Sequence, residues 1–121
     1  TTLMLQRIAY DLDEAGVRHI LDARGLAGTY DAVYVPRKSA KADNLGYAFV
    51  NFARPSYAAL CIFICSGICF GKGEVDPSRV CSVEYSKGQG LAFMLRSMEK
   101  SRKASRLTRG TELSACGGRA E

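Results

Sequence analysis

The sequence predicts an α+β fold of the ferredoxin-like kind. Four antiparallel strands in βαββαβ order are covered on one face by two helices, with a further helix at the C-terminal end. Three observations carry this. Period-two alternation recurs in four short runs, apolar helical stretches separate the first run from the second and the third from the fourth, and turn residues punctuate the joins.

Thr2–Ile8 (TLMLQRI) alternates as a strand, Leu3 and Leu5 to one side, Met4 and Gln6 to the other. Asp11 followed by Glu14 is an acidic capping box and predicts a helix start. Val17, Ile20 and Leu21 form its stripe, His19 falls opposite, and Gly25 is the stop. Residues 30–35 (YDAVYV) make the second strand, closed by Pro36. A polar loop, RKSAKADN, leads to a third strand over residues 45–53. Arg54-Pro55-Ser56 opens an apolar helix to about Ser66 that is read as buried, with Gly67 as its stop, and residues 71–78 (GKGEVDPS) read as turn. Residues 80–85 (VCSVEY) form the fourth strand. Gly88 and Gly90 precede a last helix to about residue 104. On its wheel Leu91, Met94, Leu95 and Met98 form one apolar stripe, with Arg96, Lys100 and Lys103 opposite. The short Ser86–Gly90 connection allows an immediate turn, which predicts docking on the flank of the domain rather than across the sheet. The expected division is a folded unit over residues 1–104 and a basic, disordered tail over 105–121.

Composition narrows the function. With 121 residues, 47% hydrophobic and 24% charged, the chain is sized for one domain, expected to act as a monomer within a longer protein. The most apolar window, residues 57–70, is too short to span a bilayer and is broken by Gly67. Five cysteines show no disulfide spacing, so reduced thiols in the nucleus or cytoplasm are expected. Cys61, Cys65 and Cys69 stand four apart without a nearby histidine, which favours small core residues over a metal site. Residues 96–109 hold six basic groups and one acid, equal to the whole net charge of +5. A neutral body with a basic end points to a polyanion there, and Ser101 and Ser105 lie among the cations. No catalytic grouping, phosphate-binding glycine loop or cofactor motif is visible, and no enzyme activity is expected.

Two helices cannot cover both faces of such a sheet. In the third strand Ala48, Val50 and Phe52 suit the core, which leaves Tyr47, Phe49 and Asn51 on the open face. Exposed rings on a rigid sheet stack unpaired bases, and Leu45-Gly46-Tyr47-Ala48-Phe49-Val50-Asn51-Phe52 fits the RNA recognition motif octamer at every position but the first. Leu45 stands where a cation is usual, and Met4 where the first strand usually carries an aromatic. Tyr34 shares the open face if Val33 and Val35 point inward, and is a candidate third platform. Gln6, Asn51, Glu84 and Ser86 are candidates for base-edge hydrogen bonds. Arg37, Lys38 and Lys41 in the loop before the third strand are candidates for phosphate contacts, and Lys87 is a further candidate RNA-binding residue.

Wider blocks add to this: TTLML at the start, GTYDAVYVP at 28–36, NLGYAFVNF followed by Arg54-Pro55, and VCSVEYSKGQG at 80–90. Together, from residue 1 to about 100, they resemble the C-terminal RNA recognition motif of the Mei-two-like meiosis regulators. The first strand departs from that family's usual Asn-Ile-Pro-Asn turn, with Arg7-Ile8-Ala9-Tyr10 in its place. The resemblance implies single-stranded RNA binding in RNA regulation. The alternative is a protein-interaction module of the same fold, its partner held by the sheet face or the C-terminal helix.

Overall fold

In the computed structural model the alternation of the first strand decides the layering: Leu3 and Leu5 are fully buried, while Met4 and Gln6 are half-buried on the other face. The structure describes residues 1–39, 41–71 and 79–109, of which 102–109 as backbone only. In order, the described residues form β1 (Thr2–Gln6), α1 (Glu14–Leu21), β2 (Tyr30–Tyr34), β3 (Tyr47–Phe52), α2 (Pro55–Cys65), β4 (Ser82–Tyr85) and α3 (Leu91–Arg109). The strands build one antiparallel sheet in the order β2-β3-β1-β4. This is the predicted ferredoxin-like arrangement. Helix α3 continues to Arg109, past its predicted end near residue 104 and into the stretch predicted as a disordered tail. Residues 72–78 of the predicted turn and 110–121 of that tail lie outside the described residues, as do the side chains of Lys103 and Ser105.

One hydrophobic core fills the space between the sheet and the first two helices. Leu3, Leu5, Val33, Ala48, Val50 and Phe52 come from the strands, Val17 and Leu21 from α1, and Ala58, Cys61 and Cys65 from α2. Cys61, Cys65 and Cys81 thus belong to the packing, whereas Cys69, also predicted as a core residue, is only half-buried and stands outside it. A hydrogen bond to Cys65 and burial push the Cys61 thiol well above its ordinary range, and burial pushes Cys81 up to about 12. Such thiols stay protonated and behave as small apolar groups.

Helix α1 starts two residues later than the acidic pair suggests. Its N-cap is Asp13, whose Oδ1 accepts from the Gly16 amide at 2.8 Å. Glu14 Oε2 instead accepts from the Val35 amide at 2.9 Å, tying the helix start to the end of β2. A further turn over Asp22–Leu26 follows and is broken at Gly25, whose φ is +90°. Helix α2 is apolar on every side and carries no charge between Pro55 and Cys65. The sequence therefore reads as fully buried, yet only one side of α2 meets the sheet, and Phe63 on the other is 84% exposed. None of the helices among the described residues is long and apolar enough to cross a membrane.

A bulge between Tyr30 and Ala32 in β2 switches which face the strand presents. Before it, Tyr30 packs edge-on against core Phe52 with ring centroids 6.5 Å apart. After it, Val33 points into the core, and Ala32 and Tyr34 turn to the open face.

Candidate nucleic-acid interface

Strand register arranges the open face as three rows. Ala32, Asn51 and Thr2 form the first, Tyr34, Phe49, Met4 and Glu84 the second, and Tyr47, Gln6 and Ser82 the third. The second and third rows bring the predicted rings together. Tyr34 stacks on Phe49 with centroids 6.3 Å apart and planes 18° from parallel. Tyr47 meets Phe49 edge-on at 5.6 Å and 85°. All three rings are half-buried, and the backbone beneath Phe49, the middle one, is paired on both sides, to Tyr34 of β2 and to Met4 of β1. Met4 and Gln6 flank them at half exposure, and Glu84 is exposed at the β4 side.

The first row is closed. Asn51 is only 3% exposed, and Thr2 and Ser86 are also buried. Asn51 Oδ1 accepts from Thr2 Oγ1 at 2.6 Å and Thr1 Oγ1 at 3.0 Å, and its Nδ2 donates to Asp31 Oδ1 at 2.9 Å. Thr2 Oγ1 in turn accepts from the Gly90 amide at 2.8 Å. Gln89 completes the latch. Its Oε1 accepts from the backbone nitrogens of Thr1 and Thr2, both at 2.9 Å, and its Nε2 donates to the carbonyls of Thr2 and Ser86 at 2.8 and 2.7 Å. Asn51 and Ser86, predicted as base readers, are therefore internal struts.

The cause is α3. Leaving Gly90 above Thr2 of β1, it packs against β3 and β2, so it crosses the open face at its first row instead of turning to the flank. At 1.5 Å per residue its 19 residues are about 28 Å long, against about 14 Å between the outermost strands. The docked side is also rotated from the predicted stripe. Met94 is buried and Ser97, Met98 and Ser101 are half-buried, whereas Leu91 and Leu95 are exposed. Phe93 lies over Gly88, where no side chain would fit.

At the opposite end the loop before β3 is tied down rather than loose. Arg37, predicted to meet phosphate, donates to the carbonyls of Ala42 at 3.2 Å and Leu12 at 3.4 Å. Asn44 is buried, its Nδ2 bonded to the carbonyls of Ala9 and Leu12 and its Oδ1 to the Gly46 amide. Lys38, Lys41, Lys87 and Leu45 are exposed. Gly46 has φ +95°, a region that disfavours side chains, so Gly46→Ala is expected to cost about 1–3 kcal/mol, read as a lower unfolding midpoint.

Among the described residues no group of three or more His, Cys, Asp or Glu is placed to hold a metal ion. Comparison with known proteins decides the family, since the profile of RNA recognition motif 2 matches residues 1–99. The chain belongs to that family. As an RNA recognition motif 2 domain it is 30% identical over 97 residues to "Meiosis protein mei2" of Schizosaccharomyces pombe, covering 74% of this chain and 12% of that protein. It is also 30% identical over 101 residues to "Protein MEI2-like 5" of Oryza sativa subsp. japonica, covering 84% of this chain and 12% of that one. The chain thus spans about an eighth of these relatives. Among solved structures, the Rna15 RRM with bound RNA (GU) superposes with a TM-score of 0.57 at 19% identity, covering 82% of this chain and 96% of that one. A Sex-lethal protein/RNA complex gives 0.56 at 20%, over 75% and 49%.

Three residues placed at the two ends of the sheet escape a reading of the sequence: Gln89, Tyr10 and Arg79. Gln89 leaves a trace as part of the GQG segment after β4. Tyr10 and Arg79 leave none, because they meet only through the fold.

Proposed function

We propose that this domain binds single-stranded RNA on the second and third rows of its open sheet face, as a non-catalytic module of a longer RNA-regulating protein met in the nucleus or cytoplasm. The contiguous cluster of Tyr34, Phe49 and Tyr47 carries the reading. A rigid set of half-exposed rings offers base-stacking area at little entropic cost, and every base has a face to stack. Met4 adds a softer contact, and Gln6 and Glu84 are the open-face polar groups within reach of base edges. Solved relatives of the same fold described with bound RNA, and full-length relatives named for meiosis, support the reading.

Titration of short unstructured RNA pools against the purified domain, followed by fluorescence anisotropy, tests it. Saturable binding that weakens with salt is expected. No binding at low salt would overturn the proposal in favour of a protein-interaction module.

Phosphate contact falls first to the exposed loop lysines, since Arg37 is half-buried and spends two of its donors on the carbonyls of Ala42 and Leu12. On single strands log affinity drops against log salt by about 0.7 per phosphate contact. Replacing Lys38 and Lys41 together with Ala is expected to flatten that slope by about 1.4, with the order of preferred RNA sequences unchanged. A wild-type slope in the double variant would exclude the loop from the RNA path.

A further inference from the structure

Beyond the third row the sheet ends in a second, smaller platform. Arg7, the first residue past β1, has φ +62° and an exposed side chain, and the chain then folds back across the end of β3. The Ile8 amide donates to the Gly46 carbonyl at 3.2 Å, and the Asn44 amide donates to the Tyr10 carbonyl at 3.0 Å. These bonds set Tyr10 beside Gly46, close enough that a Cβ on Gly46 would lie 3.3 Å from Tyr10 Cε1. Gly46 directly precedes Tyr47. Arg79 comes in from the approach to β4 and lays its guanidinium 4.4 Å from the centroid of the Tyr10 ring. Its Nη2 donates to the Ile8 carbonyl at 2.6 Å, which fixes the stack.

Despite this bracing, Tyr10 is 52% exposed. One face of its ring is backed by a cation and held in place, and the remainder meets solvent. A ring immobilised before binding loses little freedom when a base stacks on it. A guanidinium has five N–H donors, and among the described residues Arg79 spends one, on the Ile8 carbonyl, which leaves donors to offer a phosphate. Arg7 supplies a second cation at the same end.

We propose that Tyr10 and Arg79 form an additional nucleotide subsite, in which an unpaired base stacks on the exposed face of Tyr10 and its phosphate meets Arg79 and Arg7. It takes the nucleotide next to the base on Tyr47 and lengthens the RNA track past the end of the sheet. The inference rests on the RNA-binding reading above.

The test compares two oligouridylates on the full chain, one of about three nucleotides, matching what the sheet rings of such a domain stack, and one about twice as long. Tyr10→Leu keeps bulk against Gly46 and removes the ring. It is expected to lose about 5- to 150-fold on the longer oligonucleotide, the range for one base–aromatic stack, and to match wild type on the shorter one. The chain has no tryptophan, so Tyr10→Trp places a single reporter at the subsite while keeping an aromatic platform. Its fluorescence is expected to be quenched by the longer oligonucleotide and not by the shorter, at concentrations that saturate both. An unchanged signal with the longer oligonucleotide bound would overturn the subsite and leave RNA binding on the sheet standing. Failure of both oligonucleotides to bind the wild-type chain would remove the RNA-binding reading itself, and the subsite with it.

Discussion

Replacing Phe49 with Ala is expected to weaken binding of short unstructured RNA by about 1–3 kcal/mol, and Tyr47→Ala by an amount at the lower end of that range. The difference follows from position. Phe49 sits between Tyr34 and Tyr47 and touches both rings, so its loss removes one platform and frees the two beside it. Tyr47 has one ring neighbour and stands in the row nearest the sheet end. Because the rings are in contact, the loss in the double variant should differ from the sum of the single losses by about 0.5 kcal/mol or more. Stability separates this effect from unfolding. Both side chains lie on the face opposite the core, whereas Phe52 of the same strand points inward and is 1% exposed. Phe52→Ala is expected to cost about 3–5 kcal/mol of stability, far beyond either open-face variant. Anisotropy titrations paired with thermal unfolding decide the matter. Wild-type affinity in both Phe49→Ala and Tyr47→Ala would exclude stacking as the binding mode.

The faces of the strands are legible in the sequence because their period is two. Once Val50 and Phe52 are taken as core, Tyr47 and Phe49 must point away, and Val33 does the same for Tyr34. What the period cannot show is a cover arriving from elsewhere in the chain. Asn51 does face the open side, as its parity demands, but α3 and the Gln89 latch close over it from far along the chain. The docked side of α3 escapes the wheel for a related reason. An apolar stripe says that a helix has a side to bury, while its rotation is set by where Gly90 is pinned to Thr2. In α1, the run Asp11-Leu12-Asp13-Glu14 offers two caps, and Leu12, buried in the core, fixes the second. Helix α2 has no polar side at all, so nothing in its sequence says which residues face the sheet.

Truncation after Gly90 is expected to lower stability by about 1.5–3 kcal/mol while leaving affinity for an RNA of about three nucleotides nearly unchanged. The stability loss is the burial of Met94, the one fully docked side chain of α3 among the described residues. The cut spares the latch, since Gln89 and Gly90 both remain, and the polar groups it uncovers, Thr2, Asn51 and Ser86, are ones that water can satisfy. Affinity should hold because α3 lies over the first row, whereas Tyr34, Phe49 and Tyr47 occupy the other two. On a longer RNA that reaches the helix, affinity and its salt dependence should fall together, because the basic residues from Arg96 onward leave with α3. Chemical denaturation and anisotropy on the same preparation read all three quantities. If the truncated domain bound the short RNA distinctly more tightly, α3 would be shielding the rings themselves, and the first row beneath it would be part of the RNA track that the helix covers.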